Sequence, residues 1–384
     1  MNISMADSML VVIIIAIVVI IVLAFRNSNR PKLKSTKREK LEKLAEDDID
    51  SMEDSIDEKL FTPVSLDSYN FDPENIKESK RSNSKANMIP TYERNTKFNI
   101  SSHEYQHRFE VKNYSKSESL PKNFSAIKQW ENAITGSVDQ ERCGSCWAMS
   151  TVLSLTDRIK IKSNGRYLQN GDYLSPFSLA ACMKCGKDGA CPRVCEGNYL
   201  DDVLEYLVQN GAIAQSDIDK YSNNKYEYIC FDHEKYGIAP WKGIRKYRVN
   251  IFPPSMLTDP EHLKLNEESI MREIYEHGTV NCIIKVYVPN DKRNFYIHKE
   301  GVYGSGWSSE PKETDGYHAI NIIGWGEDEI IKEKGHKEIV KYWIIRNSWG
   351  SEWASQGFSR ILKGVNFGLI ESDVWAIDPD LNHH

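Results

Sequence analysis

The stretch Gln140-Glu-Arg-Cys143-Gly-Ser-Cys146-Trp147 decides how the rest of this chain is interpreted. Its second cysteine is followed by apolar residues that recur at helical spacing as far as Ile161. A cysteine at the start of a helix lies near unpaired backbone N–H groups and the positive end of the helix dipole, and both favour the thiolate. Because the thiolate is the reactive form of the side chain, Cys146 is a candidate nucleophile.

Two later stretches supply the other groups that an acyl-transfer site needs. Gly316-Tyr-His318-Ala places a histidine at the head of an apolar strand, and Asn347-Ser-Trp349-Gly350 follows a second strand. Taken singly, each residue has a plainer explanation: a disulfide or buried cysteine, a core histidine, and a turn asparagine. Together, a Cys nucleophile, a His base and an Asn that orients the His form a complete catalytic set.

These three stretches, in this order, resemble the papain-like cysteine proteases. The long gaps between them are similar to those of the cathepsin B and cathepsin X branch, and the resemblance covers about residues 120–380. It implies an α+β, papain-like two-lobed fold, with a helical left lobe, an antiparallel β-barrel-like right lobe and an active-site cleft between them. Helical patterns early in this part of the chain and strand patterns later agree with that expectation.

The resemblance also implies a role for each matching residue. Cys146 attacks the peptide carbonyl, and His318 pairs with its thiolate and then protonates the leaving amine. Asn347 holds the imidazole, and Trp349 shields their contact from water. Gln140 and the backbone N–H of Cys146 form the oxyanion hole, which stabilises the developing negative charge.

Four further positions are expected to bind substrate: Gly197, Asn198, Tyr317 and Asp373. The family has a second glycine where this chain has Asn198, so a side chain there would crowd the peptide backbone. Asp373 matches an acid in the cathepsin B pocket for the second residue upstream of the cut, which predicts a preference for Arg or Lys. An adjacent His-His pair, part of the cathepsin B occluding loop, does not occur between Cys146 and His318; the one such pair in the sequence is His383-His384. Endopeptidase activity is therefore the expected mode of cleavage.

The eight cysteines bear on both the fold and the compartment. The resemblance implies the pairs Cys143–Cys195, Cys185–Cys191 and Cys182–Cys230, which leave Cys282 buried and free. The alternative is a zinc site formed by Cys182, Cys185, Cys191 and Cys195, whose spacing is suitable. We expect disulfides, no metal and no cofactor. Disulfides favour an oxidising compartment, such as the endomembrane lumen, a lysosome-like organelle, the exterior or a virion.

The first 119 residues divide into four segments. A short tail (1–8) precedes an unbroken apolar run (9–25), which we interpret as a transmembrane helix rather than a buried helix or a cleaved signal peptide. A basic-then-acidic juxtamembrane segment follows (26–60), and then a polar pro-segment or linker (61–119). The basic flank predicts a cytoplasmic orientation, which conflicts with the disulfides. Residues 120–384 are the predicted protease domain.

Composition limits the remaining possibilities. The 384 residues carry 49 basic and 55 acidic side chains, a net charge of −6, so nucleic-acid binding is not expected. Sequons at Asn99, Asn113 and Asn123 are consistent with a glycoprotein. The sequence thus predicts a membrane-anchored thiol endopeptidase made as a zymogen, with a monomeric protease domain, peptide or protein substrates, and a bilayer contact through residues 9–25. The alternative is a catalytically silent binding protein on the same fold.

Overall fold

A computed structural model describes residues 112, 119–185, 191, 193–222, 227–331 and 337–382. The predicted transmembrane helix (9–25), the charged segment (26–60) and all of the pro-segment except residues 112 and 119 lie outside the described residues. Within the described part, no helix has both the length and the apolar character needed to cross a bilayer.

The helices of the described part mostly precede its main strands, as the sequence patterns predict. They are α1 (Ala126–Gln129), α2 (Cys146–Lys162), α3 (Pro176–Lys184), α4 (Leu200–Gln209), α5 (Gln215–Asp219) and α6 (Pro260–His277). Local chemistry sets the ends of α6. Asp259 accepts a hydrogen bond from the N–H of Glu261, and Pro260 occupies the first turn, where its missing N–H costs nothing. Gly278 ends the helix with a φ of 96°, a conformation that glycine adopts without strain.

The strands of the described residues form one eight-stranded sheet. They are β1 (Phe124–Ser125), β2 (Gly243–Arg248), β3 (Val280–Tyr287), β4 (Val302–Tyr303), β5 (Thr314–Ile331), β6 (Lys337–Arg346), β7 (Phe358–Leu362) and β8 (Val374–Pro379). The order is β2-β8-β3-β5-β6-β7-β4, with β1 on β5. Every pairing is antiparallel except β4 with β7. The predicted right lobe is therefore mainly antiparallel. Among the described residues, β2 and β4 are the end strands of this order.

Two large hydrophobic clusters correspond to the two predicted lobes. The larger one joins α6 to the strands and includes Trp325, Trp343 and Trp349. The second surrounds α2, α3 and α4 and includes Trp147 and Leu204. Helix α2, which begins at Cys146, packs against β5, the strand that contains His318.

A buried polar network fixes α2 against the strands. Asp157 of α2 pairs with Arg346 at the end of β6, with Oδ2 2.9 Å from Nη1 and both side chains fully buried. Arg346 also donates to Asn321 Oδ1 from Nη2 at 2.8 Å, and Asn321 Nδ2 donates to the carbonyl of Ser150 at 2.9 Å. Because Arg346 directly precedes Asn347, this network links the nucleophile helix to the residue that orients the histidine.

Candidate active site

Cys146 is the first residue of α2, as the sequence predicts. The carbonyl of the preceding Ser145 accepts hydrogen bonds from the N–H groups of Ala148 and Met149, at 2.9 and 3.2 Å. The Cys146 side chain is fully buried and is not part of a disulfide. Its position at the helix N-terminus favours the thiolate electrostatically.

His318 and Asn347 meet because their strands are antiparallel neighbours. The register pairs Asn321 of β5 with Arg346 of β6, which brings His318 to the residue that follows β6. His318 Nε2 lies 2.7 Å from Asn347 Oδ1. The same oxygen accepts the N–H of Ser348 at 2.7 Å, which holds the amide in place.

The hydrogen bond to Asn347 assigns the histidine tautomer. An amide oxygen can only accept, so Nε2 carries the proton and Nδ1 keeps its lone pair. Among the described residues, His318 Nδ1 has no hydrogen-bond partner. Burial lowers the pKa of His318 to about 4, although the hydrogen bond to Asn347 opposes that shift. The ring is therefore neutral near pH 7, with its basic nitrogen available to accept a proton.

Trp349 covers the histidine as predicted. Its ring stacks on the imidazole at a centroid distance of 4.7 Å and an interplanar angle of 24°. Tyr296 stacks on Trp349 at 4.8 Å, and Phe295 meets it edge-on at 5.4 Å. This aromatic packing lies beside the His318–Asn347 contact, whose two residues are buried.

Gln140 lies against both active-site stretches. Its Nε2 donates to the carbonyl of Cys143 at 2.8 Å, and its Oε1 accepts from Ser348 Oγ at 2.5 Å. Because a backbone carbonyl can only accept, the bond to Cys143 identifies which end of the amide is the nitrogen and defines the orientation of Gln140. One N–H of the amide is used by Cys143, and the second hydrogen is the one that an oxyanion could receive. Ser348 was not singled out from the sequence, although it lies inside the quoted Asn347 motif.

Gly197 and Asn198, which are expected to bind the peptide backbone, come shortly after Cys195 in the sequence. Cys143–Cys195 joins this segment to the start of the nucleophile motif. The carbonyl of Gly197 accepts from Lys184 Nζ at 3.2 Å. The side chain of Asn198 accepts the N–H of Tyr199 at 3.0 Å, so it is turned toward its own backbone. Tyr317, next to His318 in β5, is partly buried against the helical cluster.

The position of Asp373 argues against the predicted pocket for Arg or Lys. Its carboxylate is fully buried and lies 2.8 Å from Arg248 Nη2. It also accepts the indole N–H of Trp375 at 2.8 Å. The chain's own arginine therefore neutralises this acid, and a substrate cation would have to displace a buried ion pair.

The predicted disulfide pairing is confirmed: Cys143 with Cys195, Cys182 with Cys230, and Cys185 with Cys191. This pairing replaces the alternative zinc site, because all four of its candidate ligands are cysteines in these bonds. Cys282 is free and buried, and burial raises its pKa well above that of an ordinary thiol. Three disulfides indicate that the domain folds in an oxidising compartment.

Tyr228 is a residue near the nucleophile that sequence reasoning missed. Its hydroxyl lies 2.7 Å from Oγ of Ser145, the residue that precedes Cys146 in the sequence. Its ring packs edge-on against Phe177 at 5.3 Å, and Cys230 two residues later is held by a disulfide. Burial is the main cause that raises the pKa of Tyr228 to about 12, so it stays a neutral hydroxyl. The stretch around Tyr228 has no periodicity or motif that could have revealed this contact.

The geometry agrees with comparisons against known proteins. The sequence profile described as "Papain family cysteine protease" matches residues 120–377, about two thirds of the chain. The chain belongs to the papain family of cysteine proteases. The matched range begins at the predicted domain boundary and contains every predicted site residue.

Individual relatives place this papain-family chain in the cathepsin B-like branch. It is 30% identical to a cathepsin B-like cysteine proteinase of Schistosoma japonicum over 67% of this chain and 72% of that protein. It is 31% identical to human tubulointerstitial nephritis antigen over 67% of this chain and 52% of that protein. The chain thus spans only about half the length of the antigens that it matches.

A solved structure supports the same fold. The proCathepsin B S9 structure from Trypanosoma congolense covers 85% of this chain and 96% of its own, with a TM-score of 0.55 and 22% identity. The papain-like α+β fold expected from the three motifs is thereby confirmed for the described domain.

Proposed function

We propose that this chain hydrolyses peptide bonds with Cys146 as the nucleophile, His318 as the general base and acid, and Asn347 as the group that orients His318. His318 Nδ1 takes the thiol proton, and the sulfur adds to the peptide carbonyl carbon. The oxyanion accepts hydrogen bonds from the backbone N–H of Cys146 and from Gln140. The imidazolium then protonates the leaving amine, the C–N bond breaks and a thioester remains. Water, deprotonated by His318, hydrolyses the thioester and restores the thiol.

The observation that carries this proposal is the state of His318. A ring fixed through Nε2 by Asn347, with Nδ1 left as an acceptor, is the form that a general base requires. The covering tryptophan and the helix N-terminus at Cys146 supply the remaining conditions.

Hydrolysis of peptide substrates tests the proposal. We expect activity from the matured wild-type chain, loss of it in Cys146→Ala and His318→Ala, and retention in Cys282→Ala, which changes the other unbridged cysteine. Internally quenched peptides blocked at both ends test the endopeptidase mode, because an exopeptidase would leave them intact. A folded, matured chain that cleaves no peptide would refute the enzyme proposal.

We further propose that the protein is made as a zymogen that is anchored through residues 9–25 and cleaved near residues 115–121. The full burial of both Cys146 and His318 supports a closed site in this form of the chain. The disulfides support a protease domain in a lumen or outside the cell rather than in the cytosol. N-terminal mass spectrometry of an active preparation tests the cleavage, and an active species with only the intact N-terminus would contradict it. Flotation of the full chain with vesicles tests the anchor.

A second candidate, a silent binding protein on the papain fold, draws on the same burial. If the closed site never opens, Cys146 and His318 would serve only packing. The peptide assay separates the two candidates, because binding without turnover by a cleaved, folded chain would favour the second.

A further inference from the structure

Lys112 lies upstream of the protease domain yet contacts its surface at three points. Its Nζ is 3.3 Å from Oε2 of Glu273 in α6. The same ammonium lies 5.3 Å from the ring centroid of Tyr247. Its backbone N–H donates to the carbonyl of Arg248 at 3.3 Å, at the end of the edge strand β2. An ion pair, a cation–π contact and a backbone hydrogen bond therefore hold one residue to one patch.

The carboxylate that receives Lys112 is an unusual surface partner because it is completely buried. The Glu273 side chain is 0% exposed, whereas that of Lys112 is 22% exposed. Glu273 Oε1 is already used: Arg158 Nη2 lies 2.7 Å away, and the hydroxyl of Tyr247 donates to it at 2.7 Å. Of the described residues, Lys112 is the donor that reaches Oε2. The ammonium of Lys112, a residue upstream of the protease domain, thus supplies the hydrogen bond to Glu273 Oε2, while Arg158 and Tyr247 bind Oε1.

Glu273 and Asp378 each keep another cation when Lys112 is absent. Glu273 pairs with Arg158, and the neighbouring Asp378 pairs with Arg245 at 2.8 Å. Removal of Lys112 therefore leaves the buried Glu273 with Arg158 and the partly exposed Asp378 with Arg245, so neither acid loses its last cation. The arrangement fits a contact that forms and is released.

We propose that Glu273, Tyr247 and the end of β2 form a docking site for a lysine of the pro-segment, and that Lys112 is that lysine. The inference rests on the proposed zymogen, since Lys112 lies before the proposed cleavage at 115–121. The docking holds the pro-segment against the side of the domain formed by α6 and β2, through a contact separate from the catalytic residues. Its release allows the cleaved segment to leave.

Protection from an added protease tests the docking without requiring any activity of this chain. The full chain with Cys146→Ala is treated with a protease that cuts after Phe and Tyr, because Phe109 and Tyr114 flank Lys112. We expect slow cleavage at both bonds, a rise of about fivefold or more with Lys112→Ala, and an intermediate rate with Lys112→Arg, which keeps the charge.

The matched control is Lys122→Ala, which removes an exposed lysine from its ion pair with Glu327 and should leave the rate within about twofold. The thermal midpoint of the domain should fall only slightly in Lys112→Ala, because Arg158 still pairs with Glu273, and should not change in Lys122→Ala.

Equal cleavage rates in Lys112→Ala and in its parent, or rapid cleavage of the parent at both bonds, would overturn the docking site. Either outcome is independent of catalysis. If the wild-type chain instead fails to cleave peptides while Lys112 still protects its flanking bonds, the enzyme proposal fails and the docking site stands.

Discussion

Two regions of the molecule build the site by different means. The nucleophile region, residues 143–230, contains all six disulfide-bonded cysteines. The base region, residues 280–379, contains His318 and Asn347 and has one free, buried cysteine. Strand register and an aromatic cluster hold its catalytic groups. The position of Cys146 therefore depends on redox conditions, whereas the position of His318 depends on packing and protonation. Each dependence can be broken separately.

The largest effect is expected where the two regions are joined. Arg346→Met removes the cation from the buried pair with Asp157 and leaves that carboxylate unpaired. Loss of one partner of such a pair costs about 3–5 kcal/mol, so urea denaturation should show a large fall in the free energy of unfolding. Replacing both partners in Asp157→Leu/Arg346→Met should recover part of the loss. Equal stability of the single variant and the wild type would show that the regions are joined in another way.

The disulfides should matter in the nucleophile region alone. The bond Cys143–Cys195 closes a separation of 52 residues, and its removal by Cys143→Ala/Cys195→Ala should cost about 2–4 kcal/mol. Hydrogen exchange should accelerate in α2 and around Gly197 while β5 and β6 keep their protection. Cys282→Ala is the matched control in the base region. Uniform acceleration of hydrogen exchange across both regions would show that this disulfide also stabilises the base region.

Acid should act first on the base region. Burial lowers the pKa of both His318 and His298 to about 4, while the nucleophile region contains no histidine. The unfolded chain binds protons near pH 6.5, so these two groups stabilise the fold above that pH, and the contribution is lost as the pH falls toward about 4.

The pH effect is measured as a difference between two chains. His298→Gln should reduce the loss of unfolding free energy between about pH 7 and pH 4.5, because one titrating group is removed. Other groups, including Glu273, whose burial raises its pKa to about 8, are common to both chains and cancel. An identical pH dependence in the two chains would exclude His298 as a contributor.

The smallest effect is expected at Tyr228. Tyr228→Phe keeps the contact with Phe177 but removes the hydroxyl next to Ser145. The hydrogen bond between Tyr228 and Ser145 holds the turn directly before the Cys146 N–H. We therefore expect kcat to fall by about two- to tenfold, with KM little changed. Ser145→Ala should have a similar effect, and the double variant should be no worse than either single one. Additive losses would show that the two hydroxyls act separately.

Much of the site could be predicted from sequence because its chemistry lies in short motifs. Cys146 at a helix start, His318 in an apolar strand and Asn347 beside Trp349 are each recognisable locally, and their order indicates the family. The disulfide pairing also followed from the resemblance. The motifs did not show which nitrogen of His318 is bonded or how Gln140 is held, since both depend on how β5, β6 and the nucleophile motif are assembled.

The unpredicted features are contacts between residues far apart in sequence. Asp373 looked like a specificity acid, but Arg248 on a neighbouring strand neutralises it. Lys112 looked like one basic residue in a polar segment, and only the folded chain places it beside Glu273. Charge partners are set by sheet order, and nothing in the local sequence around Asp373 or Lys112 marks its partner.

Covalent labelling of the matured protein with an epoxide-type thiol-protease inhibitor tests the central claim most directly. Peptide mapping should find one adduct, on Cys146, and none on Cys282. Burial raises the pKa of the Cys282 thiol well above that of an ordinary thiol, so it is not reactive. His318→Ala should slow the labelling strongly, while Cys282→Ala should leave it unchanged. A folded, cleaved chain with no adduct on Cys146, or with equal labelling of both cysteines, would contradict the assignment of Cys146 as an activated nucleophile.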